Sequence, residues 1–333
     1  MTKQQTNILK GIAILMMMFL HLFSKVGIGY EGLCRPLIYI GDEPLVHLLT
    51  NACNPVPFFL ILSGYGLRYV WVNQGNTFSR QGKRVLKLYV TYWLVMLIFV
   101  GLGSWLQPTR YPGSWTDIFL NVTALRCTWN YETWFLFPYV LLSMSSMSIF
   151  RLMNKMGDIP FIVVSFLGAM ACGFMISRSV SYNVDLGMWA LLLVYIELLF
   201  PFVLGAWLQH ITAEGRFLLR IKSTYAIVLL VLLTAIECKL PTQADNSIYS
   251  FVFILLFLNI PYNNRIGRVT AFIGKYSMPM WMIHTFFCTY LFTEFIYGFR
   301  YPVIIYAVLF ALTLLISVPV LRLSNLVSIR WNQ

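Results

Sequence analysis

Apolar positions fall into long unbroken runs, not into a strict alternation. Runs near 20 residues recur at about 8–24, 53–72, 86–106, 132–150, 159–177, 187–209, 223–238, 247–260, 269–292 and 302–323. A helix of that length crosses the hydrocarbon core of a bilayer, where every backbone group must find its partner within the chain. The pattern predicts an all-α polytopic membrane protein of about ten transmembrane helices, organised as one domain over 1–333, with no linker or internal repeat. A transmembrane β-barrel would instead show short alternating segments, and the sequence has none.

Composition agrees. Apolar residues make up 59% of the 333 positions and charged residues only 11%, against roughly 25% charged in a soluble domain. The net charge of +12 suits nucleic acid as well as cytoplasmic loops, so placement decides. With the N-terminus inside, the inner segments collect most of the 24 basic residues, in clusters at 80–87, 216–222 and 265–275. Their only acids are Asp158 and Glu214. Glu31, Asp42, Glu43, Asp117, Glu132, Asp185, Glu237, Asp245 and Glu294 fall on or near the other side, and Glu197 lies mid-span. That asymmetry puts both termini in the cytoplasm. It gives no role to nucleic acid.

Lys3 and Lys10 precede the first run as in a signal peptide, but no small-residue cleavage site follows, so a retained signal anchor is expected. The six cysteines lack CxxC spacing and imply no zinc or redox motif. Cys34, Cys127 and Cys238 fall near outward segments, where a disulfide is open. No histidine spacing implies a metal site.

Ionisable side chains inside a bilayer are expensive and tend to face a cavity or a partner. His21 follows Lys10 by eleven residues, about three helical turns and roughly 16 Å of rise, so both lie on nearly one face. An imidazole there suits proton transfer from an attacking hydroxyl, and a cation nearer the cytoplasm suits an anionic head group. The alternative is a snorkelling lysine and a histidine bonded to a neighbouring helix. His284, in GKYSMPMWMIH, lies at a comparable depth and either shares a cavity with His21 or packs helices. Pro55, Pro57, Ser63 and Gly64 interrupt an apolar span, as a cavity-lining break or a simple kink. Arg80, Lys83, Arg84 and Lys87 suit the phosphates of a nucleotide-bearing cofactor or the head groups of anionic lipids.

Taken in order, these features resemble the membrane-bound acyltransferase family 3, the integral-membrane O-acyltransferases of bacterial surface sugars. Lys10 to His21 matches a basic residue, ten intervening residues and a histidine in the first helix, with Lys where Arg is commoner. Val56 to Gly64, VPFFLILSG, matches a family stretch closely. GKRVLKLYVTYW matches a basic cluster with Arg84 as counterpart, and ETWFLFPY and SMPMWMIH resemble later family segments. The resemblance implies an acyl-CoA donor, acetyl-CoA foremost, and a hydroxyl acceptor on an envelope glycan or lipid-linked sugar, in the bacterial cytoplasmic membrane. It implies His21 and His284 in the chemistry, Lys10, Arg84, Arg80 and Lys83 at the cofactor, and the Ser63–Gly64 backbone beside the thioester. The rival reading, a sugar or lipid transporter, predicts inverted repeats that the sequence does not show.

Overall fold

The computed structural model describes residues 1–24, 33–75, 77–181, 187–215, 220–240, 246–262 and 264–330. Glu31, Asp185, Arg216 and Asp245 lie outside them. Each of the ten expected runs coincides with helix. In chain order the helices are α1 (Lys3–Phe23), α2 (Leu45–Thr50), α3 (Val56–Gln74), α4 (Phe78–Leu106), α5 (Trp115–Val122), α6 (Leu136–Met156), α7 (Asp158–Ser181), α8 (Trp189–Ala213) and α9 (Ser223–Lys239). They continue with α10 (Asn246–Phe257), α11 (Arg265–Lys275), α12 (Ser277–Thr285), α13 (Thr293–Tyr297) and α14 (Pro302–Arg330). Two short strands, β1 (Tyr39–Ile40) and β2 (Glu43–Pro44), form the one small sheet among the described residues.

Six helical stretches among the described residues are long and apolar enough to cross a membrane: Lys3–Phe23, Phe78–Leu106, Tyr131–Met156, Asp158–Ser181, Trp189–Ala213 and Pro302–Ser328. The expected spans outside that set have physical reasons. Helix α3 carries Arg68, Asn73 and Gln74 in its second half. Helices α9 and α10 have 17 and 12 residues, short of the about 20 a perpendicular crossing needs.

The ninth expected run is not one helix. Tyr276 leaves helical geometry at φ −101° and ψ 5°, and the chain restarts as α12. Pro279 sits in the first turn of α12, where its missing N–H costs least. Helix α11 is amphipathic, exposing Ile266, Val269 and Phe272 between its basic residues. After α12 the chain widens into a π-turn over Phe286–Tyr290, with Leu291 N–H donating to Phe286 O at 2.8 Å.

The interruption expected in α3 is also absent. Pro55 caps the helix, Pro57 occupies its first turn, and the helix runs unbroken through Ser63 and Gly64. Gly64 serves packing instead: a Cβ there would lie 1.9 Å from Phe202 O, and one on Gly205 would lie 1.9 Å from Ile61 O. The two glycines let the α3 and α8 backbones touch, as small residues do between membrane helices.

Helix α1 begins with a capping box between Thr2 and Gln5, which satisfies two of its orphan N–H groups. Leu9, Ala13, Ile14, Met18 and Leu22 are fully enclosed. It is a core helix, packed on α11, α12 and α3. At one end of the bundle Arg68 Nη1 lies 3.8 Å from Asp158, His210 Nδ1 2.5 Å from Asp158, and His210 Nε2 3.1 Å from Glu214. The two acids expected on the inner side thus share one polar cluster there. All six cysteines are free thiols, so the disulfide left open among Cys34, Cys127 and Cys238 is not formed.

Candidate active site

Helical spacing builds one wall of a cavity inside the helix bundle. Lys10, Met17, His21 and Ser24 stand at intervals of seven, four and three residues, which keep them on one face of α1, and all four line a cavity of about 700 Å³. Val56, Phe59, Ser63 and Leu67 supply the α3 wall by the same rule. The volume lies within the range of small-molecule and cofactor sites.

The cavity has two chemically different ends. Lys10 joins Arg84 and Lys87, near the start of α4, at one end. About three turns further along α1 is His21 with its partner Glu132, and His47 Nδ1 meets Phe23 O at 3.1 Å, which sets the lining residues Thr50, Asn51 and Asn54 beside the far end of α1. The cationic group differs from the one expected. Arg80 is exposed and caps the end of α3, donating to Gln74 O at 2.9 Å and Gly75 O at 3.1 Å. Lys83 is exposed and does not line the cavity, whereas Lys87 does. Arg84 is braced by Gln81 Oε1 at 3.0 Å, and Gln81 is fixed by Ser143 O at 2.9 Å. Ser63 faces the cavity, 3.4 Å from Tyr139 OH. Gly64 faces α8 instead, because the close helix contact needs it there.

His21 and His284 meet. His21 Nδ1 lies 2.9 Å from His284 Nε2, and His21 Nε2 lies 2.8 Å from Glu132 Oε2. His284 is wholly buried, and its Nδ1 donates to Trp281 O at 2.8 Å and Met280 O at 3.1 Å. His21 therefore faces the cavity while His284 backs it. Of the two alternatives open for His284, the structure gives a part of each: the ring meets His21 but packs behind it and does not line the cavity.

Glu132 was counted with the outer acids, and nothing in its spacing tied it to a histidine 111 residues away. Its local signal was a carboxylate at the first residue of an apolar span, in ETWFLFPY. The chain positions it through Asn130, whose Oδ1 accepts from Glu132 N–H at 3.1 Å and Thr285 Oγ1 at 2.9 Å. Asn130 Nδ2 donates to Met282 O at 3.0 Å, and Trp281 Nε1 donates to Glu132 O at 2.9 Å. These bonds join the 3₁₀ turn Tyr131–Phe135 to the helix that carries His284. Glu197, on α8, stands apart from this site, beside Gly173 of α7.

Such an arrangement can polarise a hydroxyl and move its proton, with Lys10 about 16 Å along the helix to hold an anionic handle. A family model described as an acyltransferase domain matches residues 4–322 of the chain. No curated protein and no solved structure matches it.

Proposed function

Since the chain belongs to acyltransferase family 3, a family of membrane acyltransferases, we propose that it moves an acyl group, acetyl foremost, from acyl-CoA to a hydroxyl of an envelope glycan or lipid-linked sugar. One observation carries the reading: a single cavity has Lys10, Arg84 and Lys87 at one end and the His21–Glu132 pair further along. Phosphates of CoA suit the cations, and the pantetheine arm spans the interval to His21. The side-chain amides of Asn51 and Asn54 beyond His21 suit an uncharged, hydroxyl-rich acceptor.

In this reading the termini are cytoplasmic, the ten helical runs each cross or enter the bilayer of a bacterial cytoplasmic membrane, and donor and acceptor enter from opposite sides. His21 and its partner Glu132 carry the proton transfers of the reaction, and His284 holds the His21 ring. Ser63 lies along the path of the acyl arm, whereas Arg80, Lys83 and Gly64 take no part in binding.

Purified protein given radiolabelled acetyl-CoA and envelope glycans should release CoA and label the glycan. His21→Ala, still folded, should lose at least about 100-fold in transfer, the lower range for general acid–base catalysis. Full transfer by His21→Ala would end the role assigned to His21, and no turnover of any acyl-CoA by the parent would end the reading.

A further inference from the structure

The hydrogen bonds around His21 fix a proton count. Both partners of His284 Nδ1 are carbonyl oxygens, which only accept, so that nitrogen carries its proton. If His284 is neutral, its Nε2 is an acceptor, and His21 Nδ1 must donate across the 2.9 Å between them. The remaining nitrogen, His21 Nε2, then faces Glu132 Oε2 at 2.8 Å. A bare lone pair and a carboxylate repel at that distance, so the bond exists only with a proton in it. Moving the charge to His284 instead leaves the total unchanged. It would also put an imidazolium in the one fully enclosed group of the three, where a charge costs most.

Building on the acyl-transfer reading, we propose that Glu132 and His21 divide the acid and base work of the reaction, and that the resting site holds one proton more than two neutral imidazoles and a carboxylate. That proton rests between Glu132 Oε2 and His21 Nε2. As the acceptor oxygen bonds to the thioester carbonyl carbon, the C–S bond breaks with its electron pair on sulfur. Sulfur takes the proton from His21 Nε2, and the Glu132 carboxylate takes the proton of the acceptor hydroxyl. The chain ends with the proton count it began with, ready for another turnover. A covalent acyl-histidine is disfavoured, because each ring nitrogen of His21 is already committed to a neighbour. His284 is a positioning residue in this scheme: it sets the His21 tautomer through a ring whose own tautomer the backbone fixes.

Only four histidines occur in the chain, which makes nitrogen-15 NMR of histidine-labelled protein in bilayers a direct test. His47→Gln and His210→Gln variants identify the two outlying rings, leaving His21 and His284. The expected spectrum has His284 protonated at Nδ1 alone and His21 protonated at Nδ1, with the additional proton seen as a His21 imidazolium or as a protonated Glu132 carboxyl by carbon-13. A neutral His21 beside an ionised Glu132, or His284 protonated at Nε2, would overturn the proposal. In turnover, Glu132→Gln keeps shape and hydrogen bonding but cannot exchange a proton. It should bind acyl-CoA as the parent does and lose transfer by about 10²–10⁴-fold, with Glu132→Asp recovering part of the rate. Parent-like transfer by a folded Glu132→Gln protein would overturn the proposal. Failure of the parent to use any acyl-CoA would instead remove the acyl-transfer reading, and the spectra would still decide the proton count.

Discussion

Among the cationic residues of the basic cluster, position relative to the cavity separates two kinds of arginine. Arg84 lines the cavity and is braced by Gln81; Arg80, four residues earlier, spends its guanidinium on the last carbonyls of α3. Hydrogen bonds to charged groups contribute about 1.5–3 kcal/mol. Arg84→Ala should therefore raise the KM for acyl-CoA by about 10- to 100-fold and leave the melting temperature nearly unchanged. Arg80→Ala should do the reverse, lowering the melting temperature with KM intact. Steady-state kinetics and a thermal melt of both proteins distinguish them, and a common response would mean that the cluster acts as a diffuse field. Lys10 completes the cationic lining with a point charge, which on the acyl-CoA reading holds a phosphate without a bidentate fork.

At the scale of elements, the site depends on three short features that no long apolar run announces. The 3₁₀ turn at Tyr131–Phe135 and the π-turn after His284 border the histidine pair, and the break at Tyr276 starts the helix that carries His284, irregular helix geometry of a kind often found at functional sites. The first helix was legible because the Lys10–His21 spacing falls on one helical face and needs nothing else. Glu132 was not, because its partner comes from a helix 111 residues away, and pairing at that range depends on packing that periodicity does not encode. Asn130 is the hinge between the two readings. It bonds Glu132, Thr285 and Met282, so Asn130→Ala should lower kcat while KM for acyl-CoA stays put, and should destabilise by about 1–3 kcal/mol through buried groups left unpaired. Gly64 was legible as special but for the wrong reason: its absent Cβ serves helix contact, not a helix break. Gly64→Ala should force α3 and α8 apart at a cost of about 1–3 kcal/mol, and a melt that does not move would show the helices free to separate.

For the whole molecule, the asymmetry of charge and the cavity tell one story. The cations that line the cavity, Lys10, Arg84 and Lys87, lie at one end of it. We propose, on the charge pattern of the sequence, that this end faces the cytoplasm. Asn51 and Asn54 lie at the other end, and the helices between run in alternating directions from an N-terminus on the cationic side. On the acyl-transfer reading, a donor with several phosphates cannot cross the bilayer and an envelope acceptor is outside it, so we propose that the cavity opens at both ends and lets the two react without either one crossing. This arrangement has a chemical readout. In a protein whose six cysteines are replaced, Lys87→Cys should react with a membrane-impermeant thiol reagent only from the cytoplasmic face of oriented vesicles, and acyl-CoA should protect it. Asn54→Cys should react only from the opposite face and be indifferent to acyl-CoA. Labelling of both positions from one face would place both mouths on that side, and donor and acceptor would then have to share a single entrance.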